Sequence, residues 1–465
     1  MMVNYHLHNL AWDIKQAYTW APLPKGARLA VEYPDGFKHT NSKGEEVFLV
    51  LERNLYGMPS ASRGWGKHRD AFIRERFNRP GWSCSQSRMD PCIFIIDKYA
   101  EGQASSPPTE NLDLDSGLPE GVHRSWMLIH TDDCDAYGTS LDVLHEINNA
   151  MNDEWSTELV DRSYILGVKR DLVTDDPKGW HVHLSMTSFI EDLGALFQKP
   201  LDQKFGKRRV RTPFPEHLLL TKASKPREGE VDRNILRGYQ RLVGSLLWCV
   251  RHVAPIASYG MSQLCKLMAT PTDEAWEAAL HLLKYLVQNK DKGIRFSEVN
   301  YEPFAFVDAS NRDDPMDGKA QYGYAIMWGG PLIVKSGKLS HVGINSTYNE
   351  YMALHHAIKQ IVWLRQLMAE LGLHAWVAEP TKVYADNKQA NNLCREDLVT
   401  AGNMYFRTGY HYNKEAVEDK FVRVLFCPTA DNLTDCGTKG LGPIKIEEVT
   451  PRLHGFAEVP LPNLD

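Results

Sequence analysis

Apolar positions in the first hundred residues come in short runs broken by charge, and two of these runs, VFLVLER and PCIFIIDKY, read as strands. Between them GWGKHRDAFIRERF carries the wider spacing of a helix. The runs IFIID and SWMLIHT can pair as a hairpin. They are separated by residues 101–121, an acidic stretch rich in Pro, Ser and Gly that reads as a solvated insertion. Helical patterns follow in LDVLHEINNAMNDEW and SFIEDLGALF. Residues 213–232, rich in proline and charge, read as a linker. The stretch 235–293 is strongly helical, with Thr272 placed to cap a helix whose apolar positions are Trp276, Leu280, Leu283 and Leu286. From 303 onward the pattern is strand, strand, helix, strand, helix, and no internal repeat is visible.

Length and composition add bounds. A chain of 465 residues, 43% hydrophobic and 24% charged, predicts about three globular domains. No apolar run is long enough to span a membrane, and MMVNYHLHNLAW lacks the basic and apolar regions of a signal peptide. Eight cysteines with no C-x-x-C pair argue against a zinc ribbon or disulfide scaffold and for a reduced, intracellular protein. The net charge of −6 offers no general basic footprint for nucleic acid. One basic cluster stands out, KFGKRRVRTP. Its Lys207, Arg208 and Arg209 read either as a solvated loop or as a grip on phosphates.

The acids carry the chemistry. Asp132 and Asp133 end the apolar run SWMLIHT where a tight turn leads into CDAYG, and Asp13 ends the run of LAWDIKQAY. Carboxylates at such strand ends are costly to bury without a cation, and three that converge make an oxygen site suited to Mg²⁺. A second set recurs later: Asp308 in FAFVDAS, Glu350 at the start of EYMALHHAIKQIVWLRQLMAEL, Asp386 in VYADN and Asp435 in TADNLTDCGTKG. Singly, each has a structural reading. Thr347-x-x-Glu350 is a capping-box pattern, and Asp386 can simply form a turn before Asn387. Two acidic sites in one chain suggest a polymerase joined to a nuclease.

Around these acids the sequence resembles copia-type LTR retrotransposon Pol polyproteins in their reverse transcriptase and ribonuclease H region. DIKQAYTWAPLPKGARLAVEYPDGF, NLYGMPSASRGW, DPCIFI, HTDD and YILGVKRD follow the family's polymerase blocks in order. YQRLVGSLLWCVRHVAPIASYGMSQL matches its connector and NSTYNEYMAL its nuclease helix. The resemblance implies an α+β polymerase palm with a helical thumb or connector, followed by an α/β ribonuclease H-like domain. The implied boundaries are 1–200 for the palm, 201–300 for the thumb or connector, 301–445 for the nuclease and 446–465 for a tail. By the same resemblance Asp13, Asp132 and Asp133 ligate metal in the polymerase, and Asp308, Glu350, Asp386 and Asp435 in the nuclease. Each site would use two Mg²⁺ ions about 4 Å apart, with Mn²⁺ as a substitute. Tyr18 would lie under the incoming sugar and disfavour a 2′-hydroxyl, and Gly57 would let a template base approach the backbone. His411 reads as a surface histidine or a mobile aid to product release.

The implied partners are an RNA template, a DNA primer, their hybrid and deoxynucleoside triphosphates, in a cytoplasmic virus-like particle or the nucleus. Family members begin the polymerase domain well before the Asp13 motif, with a basic fingers region that holds the triphosphate. Here few residues precede Asp13, which predicts an N-terminally truncated palm whose phosphoryl transfer is slow. Asp135 is a further departure: beside Asp133 it predicts a charge-strained hairpin. The alternatives are a nuclease acting on RNA–DNA hybrids alone, or a non-catalytic remnant that binds nucleic acid.

Overall fold

The computed structural model describes residues 1–102, 113–221, 233–311, 314–395 and 407–462. Residues 103–112 of the 101–121 insertion and the second half of the 213–232 linker lie outside these residues. The chain forms two compact units, residues 1–166 with 370–372, and residues 167–369 with 373–465.

The first unit is built on a six-stranded sheet. Its strands are β1 (His8–Ile14), β2 (Trp82–Gln86), β3 (Ile93–Lys98), β4 (His123–His130), β5 (Asp133–Gly138) and β6 (Thr157–Leu159), and beside the short helix Ala17–Trp20 two long helices accompany them, α1 (Ala61–Arg76) and α2 (Leu141–Trp155). The spatial order is β2-β3-β4-β5-β1-β6 with every neighbour antiparallel. Alternation along the strands sends Trp12, Ile14, Phe94, Ile96, Met127, Ile129, Cys134 and Ala136 into a core shared with Trp65, Ile73, Ile147, Met151 and Trp155 of the helices. The other face receives Asn9, Asp13, Asp133 and Asp135. Helix α2 begins where Ser140 Oγ accepts from the Val143 amide.

IFIID and SWMLIHT do pair as a hairpin. VFLVLER, in contrast, yields only the two-residue strand Leu49–Val50, paired with Ala30–Val31 and exposed. Its apolar residues have no sheet face to pack on, so the periodicity alone does not extend it. Asp135 also departs from expectation. It is buried, and its carboxylate accepts hydrogen bonds from Asn9 Nδ2 at 2.9 Å and the Tyr137 hydroxyl at 2.6 Å, so the hairpin holds it with partners and not under strain.

The second unit opens with antiparallel strands β7 (Val168–Val173) and β8 (His181–Ser185), joined later by β9 (Ile294–Ser297). Between β8 and β9 run α3 (Thr187–Leu196), α4 (Gln198–Phe205), α5 (Arg233–Val253), α6 (Ser258–Cys265) and α7 (Asp273–Gln288). Thr272 caps α7 as its sequence predicts, its Oγ1 accepting from the Ala275 amide at 3.1 Å. Leu242, Leu246, Leu264, Leu280, Leu283 and Leu286 join the helices in one core.

A five-stranded sheet completes the unit: β10 (Phe304–Ala309), β11 (Gln321–Met327), β12 (Pro331–Lys338), β13 (Thr381–Ala385) and β14 (Val422–Phe426). Its order is β12-β11-β10-β13-β14. The first three strands are antiparallel, and β13 runs parallel to both β10 and β14. This mixed α/β layer has one strand more on each side of its long helix than the sequence pattern predicts. The helices are α8 (Ser346–Glu370), α9 (Lys388–Leu393), α10 (Arg407–Glu418), α11 (Asp435–Thr438) and α12 (Pro443–Leu453). Position 200 lies inside α4 and position 445 inside α12.

All eight cysteines are free. Among the described residues no helix is long and apolar enough to cross a membrane.

Candidate active sites

Two acidic centres form, one in each unit. In the first, Asp13 near the end of β1 pairs across the sheet with Asp133, the first residue of β5. Asp132 occupies the two-residue turn between β4 and β5, where Thr131 takes a positive φ of 61°. The turn is tied down twice. Trp65 Nε1 donates to the Thr131 carbonyl at 2.6 Å, and the Ile14 amide donates to the Asp132 carbonyl at 3.0 Å.

The three carboxylates are half-buried. Burial raises the Asp13 pKa, followed by repulsion from Asp132, Asp133 and Glu158, with Lys15 opposing. Burial and then Asp132 raise that of Asp133, with His130 opposing. Glu158 is a fourth acid that the sequence did not mark. It stands opposite Asp13 on β6 and ion-pairs with Lys15 at 2.9 Å.

Tyr18 is half-buried, and its ring meets that of Tyr56 edge-on at 4.8 Å. Tyr56 lies in the same NLYG block as Gly57, and no local pattern in the sequence marks it. Burial raises its phenol pKa, with Asp132, Tyr18 and Asp13 adding to the shift, so its hydroxyl lies in the field of the acidic centre. The loop is held by Asn54, whose Nδ2 donates to the carbonyls of Ala21 and Pro22 and whose Oδ1 accepts from Ser60. Gly57 turns this loop at φ +87°, with open space where a side chain would project.

In the second unit Asp308 lies on β10 and Asp386 just beyond β13, its parallel neighbour, so two sheet ends present both acids together. Glu350 comes from α8. Among the described residues, the one group of three or more acidic, histidine or cysteine side chains whose ligand atoms all lie within 4.8 Å of one another is Asp308, Glu350 and Asp386. Asp13, Asp132 and Asp133 are neighbours that are not gathered so tightly.

The capping-box reading of Glu350 fails. Asn345 Oδ1 accepts from the Tyr348 amide at 2.7 Å and caps α8, while Thr347 donates its hydroxyl to Gln389 Oε1 at 3.0 Å. Glu350 is therefore free of the cap and turned to the other acids. Burial pushes its carboxyl up to about 9, helped by Asp308 and Asp386, with the Ala309 amide opposing. Its Oε2 is buried and accepts no hydrogen bond. Burial raises Asp308 to about 6, against a hydrogen bond from the Thr438 hydroxyl. Asp386 accepts from Thr429 Oγ1 at 2.7 Å, and the capping role falls to Asn387, which accepts from the Ala390 amide.

Asp435, 8% exposed, lies at the start of α11 and pairs with Lys439 at 2.9 Å. The approach of α11 to the sheet needs small residues: a Cβ on Gly323 would meet Gly437 Cα at 3.1 Å. Asn432 Nδ2 ties the preceding loop to the Val307 carbonyl at 2.8 Å. Sequence reasoning does not reach Lys439, Thr438 and Thr429; the i, i+4 spacing of Asp435 and Lys439 is the one available signal. An orphaned buried carboxylate oxygen among three converging acids fits a divalent cation held by oxygen ligands.

Lys207, Arg208 and Arg209 are exposed in the loop after α4 and make no ion pair among the described residues. Their neighbours Lys204 and Arg211 do, with Glu277 and Glu447. His411 is exposed on α10.

No protein-family model matches the chain. It is 25% identical over 430 residues to the retrovirus-related Pol polyprotein from transposon TNT 1-94 of Nicotiana tabacum, covering 92% of this chain and 29% of that protein. It is 28% identical over 455 residues to the corresponding polyprotein from transposon RE2 of Arabidopsis thaliana, covering 96% and 28%. The chain thus spans under a third of the length of these relatives. Among solved structures it is similar to a foamy viral protease-reverse transcriptase in complex with an RNA/DNA hybrid, at 12% identity and a TM-score of 0.44, covering 90% of this chain and 44% of that one. Both matches cover more than nine tenths of this chain, and its homologues at this level of identity are copia-type retrotransposon Pol polyproteins.

Proposed function

We propose that the chain is the reverse transcriptase and ribonuclease H portion of a retroelement Pol polyprotein, an RNA-directed DNA polymerase that also cleaves the RNA of RNA–DNA hybrids. The observation that carries the reading is the convergence of Asp308, Glu350 and Asp386 within 4.8 Å, with Asp435 adjoining. In this reading residues 1–200 are the palm, 201–300 the thumb or connector, 301–445 the nuclease and 446–465 a tail.

Divalent cations, two Mg²⁺ or Mn²⁺ in each centre, would neutralise the phosphate and activate the attacking oxygen. Asp308, Glu350, Asp386 and Asp435 would hold them in the nuclease. There Thr438 fixes the Asp308 carboxylate and Thr429 that of Asp386, so neither acid must reorient to bind. Asp13, Asp132 and Asp133 would hold them in the polymerase, with Tyr18 supporting the deoxyribose of an incoming triphosphate and Tyr56 at its edge. Gly57 would pass the template strand, and Lys207, Arg208 and Arg209 would contact the backbone of template or primer. Action in a cytoplasmic virus-like particle or the nucleus fits these substrates.

Hybrid cleavage and primer extension, assayed in parallel with Mg²⁺, test the reading. Both activities are expected. Absence of both would leave only the binding remnant. The looser set of carboxylates in the first unit favours, as a second reading, a hybrid nuclease without polymerisation, which extension by the wild-type chain would exclude.

A further inference from the structure

Away from the acids, the second unit holds a groove of about 550 Å³ between the end of α5 and the edge strand β12. Arg251 and His252 of α5, Lys335 of β12, Gln360 of α8 and Tyr324 of β11 are among its lining residues. No carboxylate lines it. Arg251 and Lys335 make no ion pair among the described residues. Both bear on the Cys265 thiol, whose pKa burial raises and the two cations oppose. Lys359, exposed one residue before Gln360, joins Lys335 in holding down the His356 pKa, behind burial and His355. Arg251 and Lys335 thus share one groove that no carboxylate lines.

The helix side adds an aromatic. Trp248, Arg251 and His252 stand at i, i+3 and i+4 on α5, one side of the helix. Trp248 is 39% exposed. His252 is fixed against it, its Nδ1 2.7 Å from the Trp248 carbonyl and its ring 4.1 Å from the indole. Cations in a groove beside an exposed ring are the means by which proteins hold a nucleic-acid strand without reading its sequence.

We infer that this groove binds the phosphodiester backbone of a polynucleotide, at a place separate from both acidic centres. The choice of ligand rests on the proposed function. Binding there requires neither activity.

The test is fluorescence-anisotropy binding of a labelled RNA–DNA hybrid and of single-stranded DNA, in EDTA, over a series of KCl concentrations. The Arg251→Gln/Lys335→Gln double variant is expected to lower the slope of log Kobs against log[KCl] by about 2 on at least one of the two ligands, roughly one for each phosphate no longer neutralised. The form with the larger drop is the one that tracks the groove. Trp248→Ala is expected to weaken single-strand binding with the slope unchanged, because stacking releases no counterions. A Lys290→Gln/Lys414→Gln control removes cations already paired with Glu191 and Glu418 and is expected to leave the slope near wild type. An unchanged slope in the groove variant on both ligands, or an equal fall in the control, overturns the inference. Hybrid cleavage with Mg²⁺ by the wild-type chain is scored separately, so failure of the nuclease reading and failure of the groove are distinguishable.

Discussion

Lys439 Nζ lies 2.9 Å from Asp435 Oδ1, and its charge also reaches Asp308 and Asp386. One lysine thus offsets part of the repulsion among four clustered acids. Replacing it by glutamine should destabilise the metal-free chain by about 1 kcal/mol, a modest figure because the ammonium is half exposed and screened. The same variant should gain more from added Mg²⁺ than wild type does. Thermal melts in EDTA and in Mg²⁺ check this; an equal Mg²⁺ increment in both chains counts against it.

Glu350 and Asp308 make the stability of the metal-free chain depend on pH. Their folded pKa values, about 9 and about 6, stand above the ordinary 4.5 and 3.8. Between those limits the folded state binds more protons than the unfolded one, so the contribution is full below the ordinary values and is lost as pH rises through the folded ones. Melts in EDTA should show stability falling from about pH 5 toward about pH 9, by up to about 1.4 kcal/mol per pH unit from Glu350. Glu350→Gln should flatten the slope above pH 6. A wild-type chain with no decline over that range would contradict the burial of this carboxyl.

Asp386→Asn keeps the shape of the cluster while removing one negative charge. Hybrid cleavage should fall by more than about a hundredfold, the upper range for disturbing even an outer partner of a metal ligand. Primer extension should be unaffected, since Asp386 belongs to the second unit. Loss of both activities together would indicate damage to the fold.

Arg124 and Asp97 form a buried pair in the first unit, with side-chain exposures of 2% and 3% and separations of 2.7 and 2.8 Å. Asp97→Ala removes the buried carboxylate that faces the guanidinium and should cost about 3–5 kcal/mol. Urea unfolding of the single and double variants checks it. Asp97→Leu/Arg124→Leu should recover much of the loss, because the buried guanidinium charge is then gone as well.

Asp13, Asp132, Asp308 and Asp386 were legible because each follows an apolar run, and a run that ends in a carboxylate marks where a strand leaves its sheet. Asp13 with Asp133, and Asp308 with Asp386, could be placed at strand ends without knowing which strands are neighbours. Glu158, Tyr56 and Lys439 could not, since their closeness to those acids follows from pairings between distant segments. Glu350 was obscured by a local pattern: Thr347 imitates a cap, and only the fold shows that Asn345 holds that place. VFLVLER shows the opposite error, strong strand periodicity with no partner to bury it.

The four acids of the second centre are strung along the chain at 308, 350, 386 and 435, and β13 must pair with β10 before the first three can meet. A ribosome delivers these segments in that order, and domains generally fold from the N-terminal side as they are made. The last acid and its lysine therefore arrive after all of the first unit and most of the second. If the centre cuts RNA with all four acids, its assembly acts as a timer: a nascent chain could not cleave a transcript until synthesis had passed residue 435.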